Sequence, residues 1–231
     1  MADLTGRDIG RYHIVEALGQ GGMATVYKAY DTRLEREVAL KFIRVDLVAP
    51  AYQELMLKRF EREAKSLARL SHPNILKMHD FGEYEGAPYL VMEFLPGGTL
   101  KSRTGQPAAY QEAARLLAPM ARALDYAHQE NIIHRDVKPA NILLTKTGMP
   151  MLSDFGIAKI LGVDDTSQLT GTGVGVGTPE YMAPEQWTNN VVPQTDIYAL
   201  GVVFYELVTG RKPFTADTPA PGRCFAGLHG I

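Results

Sequence analysis

The stretch HRDVKPAN, residues 134–141, sets the charged side chains of Arg135, Asp136 and Lys138 and the amide of Asn141 beside two apolar runs, Ile132–Ile133 and 142–144. Eight positions thus hold three charges and an amide against apolar chain. The rest of the sequence has to say why.

Composition sets the outer bounds. A chain of 231 residues, 45% hydrophobic and 22% charged, has the make-up of an ordinary soluble globular protein with material for a substantial core. One large domain or two small lobes would fit. The formal net charge of −2 and the lack of any run of like charge give neither a nucleic-acid footprint nor a patch for anionic membranes. A single cysteine, Cys224, cannot form a disulfide framework within one chain, and no paired Cys or His spacing suggests a metal site. A reducing, cytoplasmic location is expected. Residues 1–13 carry charges where a signal peptide needs an apolar stretch, and no segment approaches the roughly 20 apolar residues of a membrane span.

Along the chain, residues 12–45 are short, alternating and β-rich, with TVYKAY (25–30) and EVALKFI (37–43) separated by the charged turn DTRLER. Antiparallel strands are predicted. RFEREAKSLARL (59–70) places Phe60, Glu63, Ala64 and Leu67 on one helical face, and SHPN stops it. ILKMHDFG and PYLVMEF return to strand character before LPGG (95–98), the expected lobe boundary. Beyond it the chain is mostly helical. Residues 111–129 form a long helical pattern that Pro119 should kink. DIYALGVVFYELVTG (196–210) is apolar almost all round, predicting a helix buried on every side and ended by Gly210. GTGVGVGT (171–178) is glycine-rich and should be a mobile loop.

LGQGGMATVYKA holds Gly19, Gly21 and Gly22, and alone it suits a dinucleotide-binding turn or a plain hairpin. A dinucleotide fingerprint needs a helix after the last small residue, whereas residues 25–28 alternate as a strand. The element is therefore strand-loop-strand, able to offer backbone N–H groups to phosphates. Lys41 sits inside a strand near Ala39 and Phe42, where an unpaired ammonium is costly. Glu61 has Lys65 four positions on, an ordinary surface pair, while Glu63 shares a face with Phe60 and Leu67 and is the natural mate of Lys41. A snorkelling lysine and a rim glutamate are the plainer alternative.

Taken in order, the glycine loop, VALK, Glu63, HRDVKPAN, DFG (154–156), GTPEYMAPE (177–185) and DIYALG (196–201) resemble a eukaryotic-type bacterial serine/threonine protein kinase. The resemblance implies an α+β, protein-kinase-like two-lobe fold with a β-rich N-lobe (12–95) carrying one key helix. A mostly helical C-lobe (96–220) and a site between the lobes would complete it. It implies ATP with Mg²⁺, or Mn²⁺ in its place, as cofactors, and Ser/Thr-bearing proteins as substrates. Asp136 would accept or orient the proton of the attacking hydroxyl, and Lys138 would neutralise the moving phosphoryl group. Asn141 and Asp154 would hold the metal. Lys41, held by Glu63, would grip the phosphates under Gly19, Gly21 and Gly22. Leu18, Val26, Ala39 and Leu143 would sandwich adenine, with Met92 as gatekeeper and backbone bonds from Glu93 and Leu95. Simple core is the alternative for the apolar members. His134 would be structural, packing on Phe155, rather than an acid or base.

Lys138 and Thr178 resemble the Ser/Thr branch of the family. Arg135 would receive a phosphate from the activation segment, whose candidates are Thr166, Ser167, Thr170 and Thr172. Autophosphorylation at Thr170 or Thr172 between self-associating copies is the expectation, with Thr178 a further regulatory position. Two features depart from the pattern. Ala24 replaces the third glycine of the loop, and PGRCFAGLHGI (221–231) lacks both periodicity and resemblance. The C-lobe should then lack its last helices, leaving Glu185 without its usual partner. A truncated kinase domain is implied, by frameshift or an incomplete gene. The alternative function is a non-catalytic binding or scaffold module. A small-molecule kinase is disfavoured because GTPEYMAPE resembles a peptide-docking platform.

Overall fold

The computed structural model describes residues 3–22, 24–45, 48–155, 179–188 and 190–214. Gly156, the candidates Thr166, Ser167, Thr170 and Thr172, the loop 171–178 with Thr178, and the tail 221–231 lie outside the described residues. The chain divides into two compact units. Among the described residues the first takes 3–71 and 76–94, and the second 72–75, 95–155 and 179–214.

The first unit is a six-stranded antiparallel sheet in the order β1-β2-β3-β4-β6-β5. Its strands are β1 (Asp8–Ile9), β2 (Tyr12–Gln20), β3 (Ala24–Asp31), β4 (Arg36–Ile43), β5 (Met78–Tyr84) and β6 (Ala87–Glu93). Asp31 shapes the β3–β4 turn by accepting the N–H groups of Arg33 and Leu34 on one carboxylate oxygen. Glu85 and Gly86, both at positive φ, form the two-residue turn from β5 to β6. Strict alternation sends Ile14, Tyr27, Ala29, Val38, Leu40, Phe42 and Val91 into one buried cluster. The ring of Phe42 meets Tyr27 edge-on at 5.9 Å and Tyr89 at 5.2 Å.

Helix α1 (Pro50–Leu67) begins well ahead of the predicted Arg59 and ends before SHPN. Its buried positions, Met56, Phe60 and Ala64, recur every four residues, and Phe60 packs edge-on against Phe81 at 6.1 Å. Glu61 and Lys65 form the expected surface pair at 2.6 Å.

In the second unit, α2 (Tyr110–Gln129) packs against α3 (Pro193–Thr209) and a short hairpin, β7 (Ile142–Leu144) with β8 (Pro150–Leu152). Helix α2 runs unbroken through Pro119, and Ala113, Leu116, Leu117, Met120, Ala123, Leu124 and Ala127 are its buried stripe. Gly210, at φ 73°, closes α3 through its N–H bond to the Glu206 carbonyl. The prediction that α3 is buried on every side is corrected: Ile197 (49%) and Tyr205 (40%) are exposed, and one face alone carries Ala199, Leu200, Val202, Val203 and Leu207 inward. No described helix is long and apolar enough to cross a membrane.

The LPGG segment pairs with β7. Gly97 donates to the Leu144 carbonyl at 3.1 Å and Gly98 accepts from the Leu144 N–H at 2.9 Å. A Cβ on Gly97 would run into the carbonyl oxygens of Leu144 and Thr145. Gly97→Ala is expected to destabilise the chain by about 1–3 kcal/mol, read as a lower urea midpoint at unchanged m-value.

Candidate active site

Register across the first unit's sheet gathers much of the predicted nucleotide set on one face. Gly19 pairs with Val26, Val26 with Lys41, Lys28 with Ala39, and Ala39 with Met92. Cross-strand partners point the same way, so Gly19, Val26, Ala39, Lys41 and Met92 share the face opposite the Phe42 cluster. Gly21 and Gly22 are exposed in the β2–β3 turn, which the Gly21 N–H closes on the Ala24 carbonyl at 2.8 Å. Leu18 is exposed and Val26 half-buried, whereas Ala39 and Lys41 are buried. The Glu63 carboxylate is mostly buried and takes the Arg62 guanidinium on Oε1 at 3.2 Å. The N–H of Glu93 is used by the Lys77 carbonyl at 3.0 Å. Leu95 and Leu143 belong to the second unit, and both are half-buried.

In the second unit, β7 and β8 lie within the interval of eighteen from Asp136 to Asp154. Ile142 pairs with Leu152, which sets Asn141 opposite Ser153. Ser153 donates both its N–H (2.9 Å) and its hydroxyl (3.0 Å) to the Asn141 carbonyl. The Asn141 amide donates to the Asp136 carbonyl at 2.8 Å and to Asp136 Oδ2 at 2.9 Å. Lys138 Nζ stands 2.8 Å from that same Oδ2. Asp136, Lys138, Asn141 and the residue preceding Asp154 are therefore one bonded cluster.

His134 is wholly buried. Its Nε2 lies 2.7 Å from the Ser153 carbonyl, and its Nδ1 accepts the Asp136 N–H at 3.2 Å. These partners place the hydrogen on Nε2 and leave Nδ1 bare, so both ring nitrogens are committed to backbone. The ring packs on Phe155 at 4.5 Å, as the resemblance implies.

Arg135 and Asp154 both hold φ 70°, a left-handed conformation uncommon for non-glycine residues. What holds Arg135 there is Asp196, which the sequence reading left without a role. Asp196 is 1% exposed. Its Oδ1 accepts the Arg135 N–H, its Oδ2 the His134 N–H, and His128 Nε2 also reaches Oδ2, each at 2.8 Å. One acidic residue heading an otherwise apolar helix was the available signal. Tyr181 and Glu206 were likewise missed: the phenol donates to Glu206 Oε2 at 2.6 Å. Burial, reinforced by that bond and the carboxylate's charge, pushes the Tyr181 hydroxyl far above its ordinary 10.0. Glu185, expected to be without its usual arginine partner, accepts the Thr195 hydroxyl at 3.0 Å, which α3 brings within reach.

Among the described residues, no group of three or more His, Cys, Asp or Glu side chains could hold a metal by itself. Asn141, with its amide hydrogens given to Asp136, has its side-chain oxygen remaining, and Asp154 adds a carboxylate. Two oxygen donors suit a hard cation that completes its shell with phosphate and water.

The model described as the protein kinase domain matches residues 12–222, and the chain belongs to that family. Members use ATP and a divalent cation and act on proteins. The chain is 43% identical over 216 residues to the serine/threonine-protein kinase PknB of Mycobacterium tuberculosis, covering 90% of this chain and 34% of PknB. It is 44% identical over 212 residues to the probable serine/threonine-protein kinase PknB of Lactococcus lactis, covering 90% and 33%. It therefore spans about a third of the length of the curated relatives it matches. The crystal structure of the Mycobacterium tuberculosis PknI kinase domain superposes with TM-score 0.73 at 31% identity, over 96% of this chain and 83% of that one. The chain has the α+β protein-kinase fold, and the relatives it matches are serine/threonine-protein kinases of bacteria.

Asp196→Asn replaces one acceptor oxygen by an NH₂ group, so one of the three donors must face a donor. Loss of about 1–3 kcal/mol is expected, measured by guanidinium denaturation against wild type.

Proposed function

We propose that this chain transfers the γ-phosphoryl group of ATP to Ser or Thr hydroxyls of proteins in the cytoplasm. The observation that carries the reading is the anchoring of one oxygen of Asp136 by Lys138 and Asn141. That leaves Oδ1 of a one-third exposed carboxylate as the oxygen for an acceptor hydroxyl. Asp136 takes the acceptor's proton there, in the role of a positioned general base. Lys138 adds positive charge beside the same group. Asn141 and Asp154 hold the cation, whose preference for oxygen ligands makes Mg²⁺ the first choice and Mn²⁺ a substitute.

Residues 12–95 supply the nucleotide grip in this reading, and residues 96–220 the catalytic groups. Gly19, Gly21 and Gly22 lie over the phosphates, Lys41 with Glu63 steadies them, and Leu18, Val26, Ala39 and Leu143 flank the base. Glu93 offers its carbonyl, since its N–H is already used, and Leu95 its N–H. When bound, ATP with its cation supplies the phosphoryl group and neutralises charge on the phosphate oxygens. Arg135 receives a phosphate placed at Thr170 or Thr172 by a second copy of the chain, with Thr178 contributing to the same control.

Phosphate transfer from labelled ATP to dephosphorylated casein, with Mg²⁺, tests the proposal. Asp136→Asn is expected to lower kcat by about 10²- to 10⁴-fold. Equal rates for the two proteins would instead support a non-catalytic scaffold.

A further inference from the structure

The two peptide groups flanking Arg135 are pinned separately. The 134–135 peptide gives its N–H to Asp196 Oδ1 at 2.8 Å. The 135–136 peptide carries the N–H of Asp136, bonded to His134 Nδ1, and the carbonyl of Arg135. That carbonyl accepts from Gln186 Nε2 at 3.1 Å. The other end of the same side chain, Oε1, accepts the N–H of Ala183 at 2.9 Å. An N–H on one side and a carbonyl on the other permit a single orientation of the Gln186 amide. Gln186 thus ties the backbone of the 183–186 turn to the peptide that carries Asp136. A residue at φ 70° is held only by its surroundings, and rotation of this peptide would turn the Asp136 carboxylate away from its present direction.

We propose that Gln186 is a positioning residue for phosphoryl transfer, fixing the direction of Asp136 by holding the 135–136 peptide to the 183–186 turn. The inference rests on the kinase reading for its effect on turnover and on geometry alone for its effect on the peptide. Glutamate is the discriminating replacement. It is nearly isosteric and can still accept from Ala183, but its second oxygen faces the Arg135 carbonyl at donor distance and repels it. Protonation restores a donor at that position. Leucine removes the donor at every pH.

The test compares wild type, Gln186→Glu and Gln186→Leu as the 231-residue chain, with ATP, Mg²⁺ and casein, from pH 8 down to pH 5.5, alongside hydrogen exchange at the Asp136 amide. At pH 8 both variants should lose on the order of 10- to 100-fold in kcat, with the KM for ATP held within about twofold. The Asp136 amide should exchange faster in both. As pH falls, the ratio of Gln186→Glu to wild type should rise while that of Gln186→Leu stays flat. Arg135, Asp136, Asp196 and Tyr181 line the same cleft as Gln186, and Glu185 and His134 lie beside it. Their titration is common to all three proteins and cancels in the ratio. Unchanged turnover and unchanged exchange would overturn the proposal. So would equal losses in both variants with no recovery at low pH, which would mark a packing defect. If wild type transfers no phosphate, the kinase reading fails and exchange at Asp136 alone decides the positioning role.

Discussion

The buried carboxylate of Asp196 is the constraint on which the loop 134–141 depends. Removing such a charge from water costs several kcal/mol (about that order per ion) unless donors replace the lost hydration. Three donors do so here: two backbone N–H groups from consecutive residues of the loop and the ring of His128. The exchange is reciprocal. Arg135 lies in a conformation that costs on the order of 1–3 kcal/mol when unsupported, and the carboxylate that needs its N–H is what supports it. Strain and burial, each unfavourable alone, are satisfied by the same bonds. Asp136 follows immediately in the chain and inherits the direction they set.

The short hairpin of β7 and β8 extends this order to Asp154. Three pairs of residues make a weak ladder by themselves. They are reinforced by Ser153, whose N–H and hydroxyl bond Asn141, and whose carbonyl meets His134. Of the five described non-glycine residues at positive φ, Glu35 and Glu85 shape turns between strands and Asn131 follows the end of α2. Of the other two, Arg135 immediately precedes Asp136 and Asp154 is itself a candidate acidic group.

Much of this was legible because chemistry demands particular residue types. The order of glycine loop, lysine, glutamate, HRDVKPAN and DFG specified the family, and strand alternation placed Val26, Ala39 and Lys41 together. Helix α2 was legible from its period. The start of α1 was not, because exposed Leu55 beside buried Met56 blurs the pattern ahead of Arg59. Helix α3 misled in the opposite direction: its apolar residues run all round, yet Ile197 and Tyr205 face outward, and hydropathy alone does not record which face is covered. Asp196, Gln186 and the Tyr181–Glu206 bond were hidden for a common reason. Each acts through a partner more than twenty positions away, and neither propensity nor spacing reports who that partner is.

The cluster around Asp136 is poorly explained as a device for stability. Its carboxylate is 32% exposed and Lys138 21%, and a solvent-reachable pair of that kind contributes about 0–1 kcal/mol. Asn141, by contrast, is buried, and its amide is directed to Asp136 rather than into the surrounding core. His134, between them and the hairpin, has both ring nitrogens committed to backbone groups. A fold selecting only for packing would fill these positions with apolar side chains like the neighbouring Ile142 and Leu144. Polar groups that hold one carboxylate oxygen of Asp136 are instead what the proposed proton acceptance from a bound hydroxyl requires.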